Sequence, residues 1–186
     1  MAQARKVLLV THTRRAEAIE ACEASIELLV TRGIVPVLPQ DEAAELRSRG
    51  CKLDNSQQLG LEAQPEDLEL AIVLGGDGTI LRAAEIVRDS RTPLLGVNLG
   101  HVGFMAESER GELAETIERV AKRAYTVTDR LTIDVSVIQG GKVAFRSWAL
   151  NEATVERASS GRMLELVLEV DGRPLSTFGC DGVVLS

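Results

Sequence analysis

Aromatic side chains are scarce in this 186-residue chain, at 3% of the total. A ring placed in a loop is therefore worth weighing as a stacking surface. Cysteine is scarce too. Cys22, Cys51 and Cys180 are odd in number and widely spaced, with no paired-cysteine metal signature, and they read as reduced structural thiols. The two histidines have no cysteine or carboxylate at ligand spacing. No apolar run approaches the ~20 residues that cross a bilayer. The opening Met1-Ala2-Gln3-Ala4-Arg5-Lys6 lacks the length and cleavage pattern of a signal peptide, so the expected compartment is the cytoplasm. Positive charge is in deficit: the formal net charge of −7 argues against nonspecific nucleic-acid binding. It leaves a nucleotide ligand open, because a local helix start holds phosphate even on an acidic protein. What is abundant is apolar residues, 45% of the chain, enough for a packed core in one large domain or two small ones.

The first half alternates strand and helix signals. Short apolar runs at Lys6 to Val10, Ile34 to Leu38, Leu70 to Leu74 and Leu94 to Val97 read as strands, with Pro36 placing the second at an edge. Helical spacing predicts helices from Arg15 to Thr31, Asp41 to Gly50, Thr79 to Arg88 and Glu112 to Arg123, the first carrying a stripe of Ile19, Cys22, Ile26, Leu29 and Val30. Asp54 to Pro65 has no period and reads as a loop, and Asn98 to Glu109 is irregular and glycine-bearing. This repetition implies an α/β domain with a parallel, Rossmann-like sheet over residues 1–128. Beyond it the pattern turns antiparallel. Leu131 to Val137 alternates, Gly140-Gly141 makes a hairpin turn into Val143 to Trp148, and Asp171-Gly172 joins Leu164 to Val170 with Leu175 to Phe178. Residues 129–186 are thus expected to begin a β-rich domain. The chain ends inside an apolar run at Val183-Val184-Leu185-Ser186, and the expectation is a polypeptide cut short.

Gly75-Gly76-Asp77-Gly78-Thr79 is the most informative segment. It lies between a buried strand and a helix, where open α/β sheets bind ligands. Glycines allow close approach of a phosphate and positive φ angles, and their amides with the helix start form an anion-binding concavity. Asp77 is out of place there, since like charges repel. Either it takes a proton from an attacking hydroxyl or it holds a divalent cation, and both roles belong to phosphoryl transfer. The plainer alternative is a helix cap on a tight turn. The segment is neither the dinucleotide fingerprint nor a Walker loop.

Other residues carry two readings each. Asn151 and Glu152 offer the donor and acceptor mix that ribose diols need, or are an ordinary strand end. Phe104 is a stacking ring or a core residue. His101 suits a structural turn better than a base. Arg14 and Arg15 follow the first strand, where a triphosphate could pass, or are a solvated helix start. Asp181 on its own is a turn residue.

The glycine-aspartate segment resembles the signature of a kinase superfamily that includes NAD kinases, diacylglycerol and sphingosine kinases and 6-phosphofructokinases. Asn98-Leu99-Gly100-His101-Val102-Gly103-Phe104, Leu150-Asn151-Glu152 and Phe178-Gly179-Cys180-Asp181-Gly182-Val183-Val184-Leu185-Ser186 resemble NAD-kinase motifs, in that family's order. The resemblance covers most of the chain. It implies a nucleotide domain followed by a β-rich domain with the site between them, and phosphorylation of the adenosine ribose 2′-hydroxyl of NAD by ATP or polyphosphate. It implies Asp77 as the base, with Gly75, Gly76, Gly78 and Thr79 at the phosphates. Asn151 and Glu152 would contact the dinucleotide, Phe104 a ring and Asp181 the nucleotide. It further implies a divalent cation such as Mg2+ carried mainly by the phosphates, and a homodimer or homotetramer. The family's second glycine motif continues into a Thr-Pro, glycine and Ala-Tyr stretch that this sequence does not contain. The alternatives are a lipid kinase of the same superfamily and a non-catalytic nucleotide-binding fragment.

Overall fold

The computed structural model describes residues 4–99, 108–109, 112–159 and 161–186. The chain divides into two compact units, Met1–Val127 and Thr128–Ser186.

In the first unit, β1 (Lys6–Thr11), α1 (Ala16–Thr31), β2 (Val35–Leu38), α2 (Gln40–Ser48), β3 (Gln57–Gln58), β4 (Leu68–Leu74), α3 (Asp77–Val87), β5 (Leu94–Asn98), β6 (Ser108–Glu109) and α4 (Leu113–Ala121) follow in order. The six strands pair in the order β3-β2-β1-β4-β5-β6, all parallel. The strand order therefore reverses between β1 and β4, which opens a crevice at their carboxyl ends. β1 and β4 are apolar throughout because both faces are covered. Val7, Leu9, Leu70, Ile72 and Leu74 meet Cys22, Ile26 and Leu29 of α1 and Ile117 and Val120 of α4. Leu8, Val10, Ala71 and Val73 meet Ile80, Ala83 and Val87 of α3 on the other face. Each valine, leucine or isoleucine among them, fully buried, contributes about 1.5–3 kcal/mol.

Two expectations change. β2 is not the edge strand, because β3, formed inside the segment expected to be a loop, pairs with it. Pro36 is tolerated because β3 reaches only Val37 and Leu38, so no ladder bond is asked of the proline nitrogen on that side. A 3-10 turn, Pro65–Asp67, also lies at the end of that segment.

At the amino-terminal end of the sheet, Arg5 ties three elements together. Its Nε and Nη2 donate to Glu69 of β4 at 2.7 and 2.6 Å, and its guanidinium also donates to the last carbonyls of α4, Ala121 at 2.7 Å and Val120 at 2.8 Å. Arg123 and Tyr125 add hydrogen bonds at 3.0 and 3.2 Å. The Arg5 hydrogen bond, helped by Arg123, holds the Glu69 carboxyl down at about 2. Glu69 thus binds fewer protons in the folded chain than in the unfolded one. Its stabilisation is complete above the ordinary carboxylate range and is lost as pH falls from ~4.5 towards 2. Glu69→Gln should lower stability by about 1–3 kcal/mol near neutrality, and the gap from the unsubstituted protein should close in acid. Melting curves across that range check this; parallel curves would contradict it.

The second unit consists of antiparallel pairs. β7 (Ile133–Gln139) and β8 (Lys142–Ala149) form one hairpin, and β10 (Leu164–Val170) and β11 (Arg173–Cys180) another. Their two-residue turns, Gly140-Gly141 and Asp171-Gly172, have positive φ at both positions, the twist that suits a tight hairpin. β9 (Ala153–Glu156) pairs with β12 (Gly182–Leu185), within the apolar stretch that ends the sequence.

Candidate functional site

β4 delivers the chain to the crevice. It ends at Leu74, and the next residue, Gly75, is buried. Its amide donates to the Val97 carbonyl of β5 at 3.3 Å. A Cβ at Gly75 would lie 2.5 Å from Oγ1 of Thr79 and 2.9 Å from its Cβ, so the turn closes only with glycine there. At Gly76 and Gly78 a Cβ would meet nothing within 4 Å, which leaves the main chain open to a ligand. The expectation of positive φ is not met, because none of these three glycines adopts it. Their contribution is close approach rather than unusual backbone.

α3 starts at Asp77, two residues earlier than its apolar spacing suggests. Gly76 is the N-cap, extended at φ −93° and ψ −171°, and its carbonyl accepts the amides of Thr79 at 2.9 Å and Ile80 at 3.2 Å. Asp77 therefore does not cap the helix. It stands half-buried in the first turn, where amides have no preceding turn to accept them and the helix dipole favours negative charge.

Beside this turn lies a cavity of about 220 Å3, lined by Gly75 and Gly76, by Asn98 and Leu99 at the end of β5, and by Arg15, Glu17 and Ala18 at the start of α1. The ends of two strands and the start of a helix thus converge on the switch point of the sheet. Both arginines are exposed; Arg15 lines the cavity, whereas Arg14 lies 3.6 Å from Glu45. Glu17 and Ala18 had no distinguishing signal. They belong to an amphipathic helix, and only the fold turns its first residues towards the glycines. Asn98 and Leu99 carry the family resemblance but were not among the expected site residues.

In the second unit, Asn151 and Glu152 are exposed and immediately precede β9. Asp181 immediately precedes β12 and forms an ion pair with Arg157 at 3.0 Å. Because Gly182 is paired with Glu156 and Leu185 with Ala153, Asp181 lies at the opposite end of the ladder from Asn151 and Glu152. The separation is about five residues of strand, roughly 17 Å. Phe104 and His101 lie outside the described residues.

The family model described as ATP-NAD kinase N-terminal domain matches residues 7–125. Over 186 residues the chain is 52% identical to the NAD kinase of Leifsonia xyli subsp. xyli, covering 100% of this chain and 61% of that protein. The NAD kinase of Thermobifida fusca is 50% identical over 186 residues, 97% of this chain and 57% of that protein. The NAD kinase of Mycobacterium tuberculosis is 44% identical over 190 residues, 98% and 62% respectively. The chain thus spans between 57% and 62% of the length of these relatives. Among solved structures, yeast NADH kinase complexed with NADH is similar at a TM-score of 0.80 and 20% identity, over 99% of this chain and 57% of that one. An NAD kinase from Archaeoglobus fulgidus in complex with ATP is similar at 0.60 and 20%, over 97% and 59%. At that identity the structures speak for the fold. The matched domain and an identity near one residue in two with named relatives decide the family: this chain belongs to the NAD kinases.

Proposed function

We propose that this chain carries the catalytic turn of an enzyme that moves the γ-phosphoryl of ATP, or the terminal phosphoryl of polyphosphate, to the 2′-hydroxyl of the adenosine ribose of NAD. The observation that carries the reading is Asp77. It sits at the start of α3, between Gly76 and Gly78, where an added Cβ would meet nothing within 4 Å, and beside a cavity at the sheet's switch point. A carboxylate among phosphate sites is unfavourable unless it handles a proton or a cation.

Asp77 accepts the proton of the ribose hydroxyl as the new O–P bond forms and the bond to the leaving phosphate breaks. Gly76 and Gly78 bring their main chain to the phosphates, Gly75 and Thr79, packed against each other, hold the turn that presents them, and Arg15 neutralises part of the phosphate charge. Among the described residues no group of three or more His, Cys, Asp or Glu could hold a metal ion. A Mg2+ fits as a passenger on phosphate oxygens, with Asp77 and Glu17 the carboxylates at hand, and would supply charge neutralisation there. Asn151 and Glu152 hold the dinucleotide through its hydroxyls, Phe104 lies against a ring, and Asp181 contacts the nucleotide, as the family pattern implies. The reading includes a cytoplasmic homo-oligomer. The relatives' names and the solved neighbours crystallised with NADH and with ATP support the nucleotide substrates of this reading.

The test is product analysis with the full-length protein, offered NAD, diacylglycerol, ATP and polyphosphate, alongside calorimetry with NAD and ATP. NADP formation supports the reading. Phosphatidic acid as sole product makes it a lipid kinase, and nucleotide binding without any product makes it a binding module. No helix among the described residues is long and apolar enough to cross a membrane. Glu152→Ala should raise KM for NAD about tenfold with kcat little changed, the mark of lost ground-state binding. An unchanged KM removes Glu152 from the contacts.

A further inference from the structure

One buried carboxylate has no part in the cavity. Glu42, on α2, is 1% exposed. Its Oε2 accepts the backbone N–H of Thr11, the last residue of β1, at 2.8 Å. Its Oε1 accepts from Nη2 of Arg82, on α3. One turn along α2, Glu45 accepts from Oγ1 of Thr13 at 2.6 Å. The helix α2 thus holds the end of β1 at one point, the loop after it at a second and α3 at a third. That loop leads to Arg15, and α3 begins with Asp77. The Thr11 N–H needs an acceptor in the interior, but the link from Glu42 to the partly exposed Arg82, which joins α2 to α3, is more than that acceptor role requires.

We propose that Glu42 and Arg82 form a positioning clasp for the nucleotide's phosphates, fixing the Arg15 loop and the Asp77 helix start at the spacing that phosphate binding requires. The proposal rests on the NAD kinase reading. Arg82 is the cation facing Glu42; Asp41 and Glu45 of its own helix and the Cys22 thiol of α1, which burial keeps protonated, are the other titratable groups around it. Asp41 also lies 3.6 Å from Arg82. Burial pushes the Glu42 carboxyl up to about 7, against the opposing pull of the Thr11 N–H and Arg82. Below that pH the clasp is a neutral acid beside a guanidinium; above it, the clasp is an ion pair and holds more tightly.

The test uses the full-length protein and its Glu42→Gln, Arg82→Met, Arg82→Lys and doubly substituted E42Q/R82M forms. NADP formation by the unsubstituted protein tests the enzymatic reading by itself. The clasp is read from ATP calorimetry and from kinetics with ATP varied, with melting curves alongside. E42Q and R82M should each raise KM for ATP about tenfold, with kcat far less affected. The double form should be no worse than the poorer single one, because each breaks the same contact. R82K should recover part of the loss. The ratio of unsubstituted to E42Q affinity should grow as pH rises through about 7; taking the ratio cancels ionisation of ATP itself. Additive losses, an unchanged KM for ATP or a ratio flat with pH each overturn the clasp. Should E42Q fail to fold, R82M and R82K decide, since Arg82 is 42% exposed and its loss is tolerated more easily. ATP binding that depends on the pair without NADP formation would overturn the enzymatic reading and leave the clasp standing.

Discussion

Asp77→Asn in the full-length protein should lower kcat by ~10²-fold or more while leaving NAD binding largely intact, the scale expected for loss of a general base. Asparagine keeps the shape and hydrogen-bonding reach of the side chain at the start of α3, and Gly76 rather than Asp77 is the helix cap. The fold should therefore hold. What is lost is the ability to take a proton from the ribose hydroxyl at the moment it attacks. Because that contact strengthens only in the transition state, kcat and kcat/KM should fall together. Loss of a favourable charge at the helix start should cost stability only about 0.3–1 kcal/mol. Near-normal turnover would take the proton-accepting role away from Asp77. A large rise in KM for NAD at full kcat would make it a binding residue.

The glycines should divide by position. Gly75→Ala brings a methyl group to 2.5 Å from Oγ1 of the buried Thr79, at the root of the helix that carries Asp77. Neither partner has room to give, because Gly75 also donates to Val97 and Thr79 donates its amide to Gly76. We expect a loss of about 1–3 kcal/mol in stability and a displaced turn. A shift of 1 Å at a reacting group costs as much as 10²-fold in rate. Gly76→Ala and Gly78→Ala should leave the melting temperature nearly unchanged, since their new methyl groups enter open space. Their cost should appear as weaker phosphate binding. Melting curves and ATP kinetics for the three variants check this. Equal melting temperatures for all three would contradict the close approach at Gly75.

Much of this fold was legible in residue order. β1 and β4 are continuous apolar runs because both faces of a parallel sheet are covered, and the positions buried on α1 follow the 3.6-residue spacing. The hairpin turns were legible because glycine and aspartate accept the positive φ that such turns demand. Less visible were features set by the rest of the fold. Pro36 suggested an edge, yet a two-residue strand docks beyond it where the proline is not needed as a donor. The start of α3 was hidden because Asp77 and Gly78 lie outside the apolar spacing that marks a helix. In the site, the glycine turn stood out because a carboxylate in a phosphate loop demands a chemical reason. Glu42 and Arg82 did not, being forty residues apart on polar helix faces. Asp181 lies far along its ladder from Asn151 and Glu152, a separation that motif order does not reveal.

The central claim is that the Asp77 carboxylate is where it is to serve a sugar hydroxyl. A crystal structure of the full-length protein with NAD bound measures this directly. The carboxylate should stand about 2.6–3.2 Å from the 2′-oxygen of the adenosine ribose, or be joined to it through one water. A dinucleotide bound with that ribose edge turned away from Asp77, beyond the reach of a bridging water, would contradict the account.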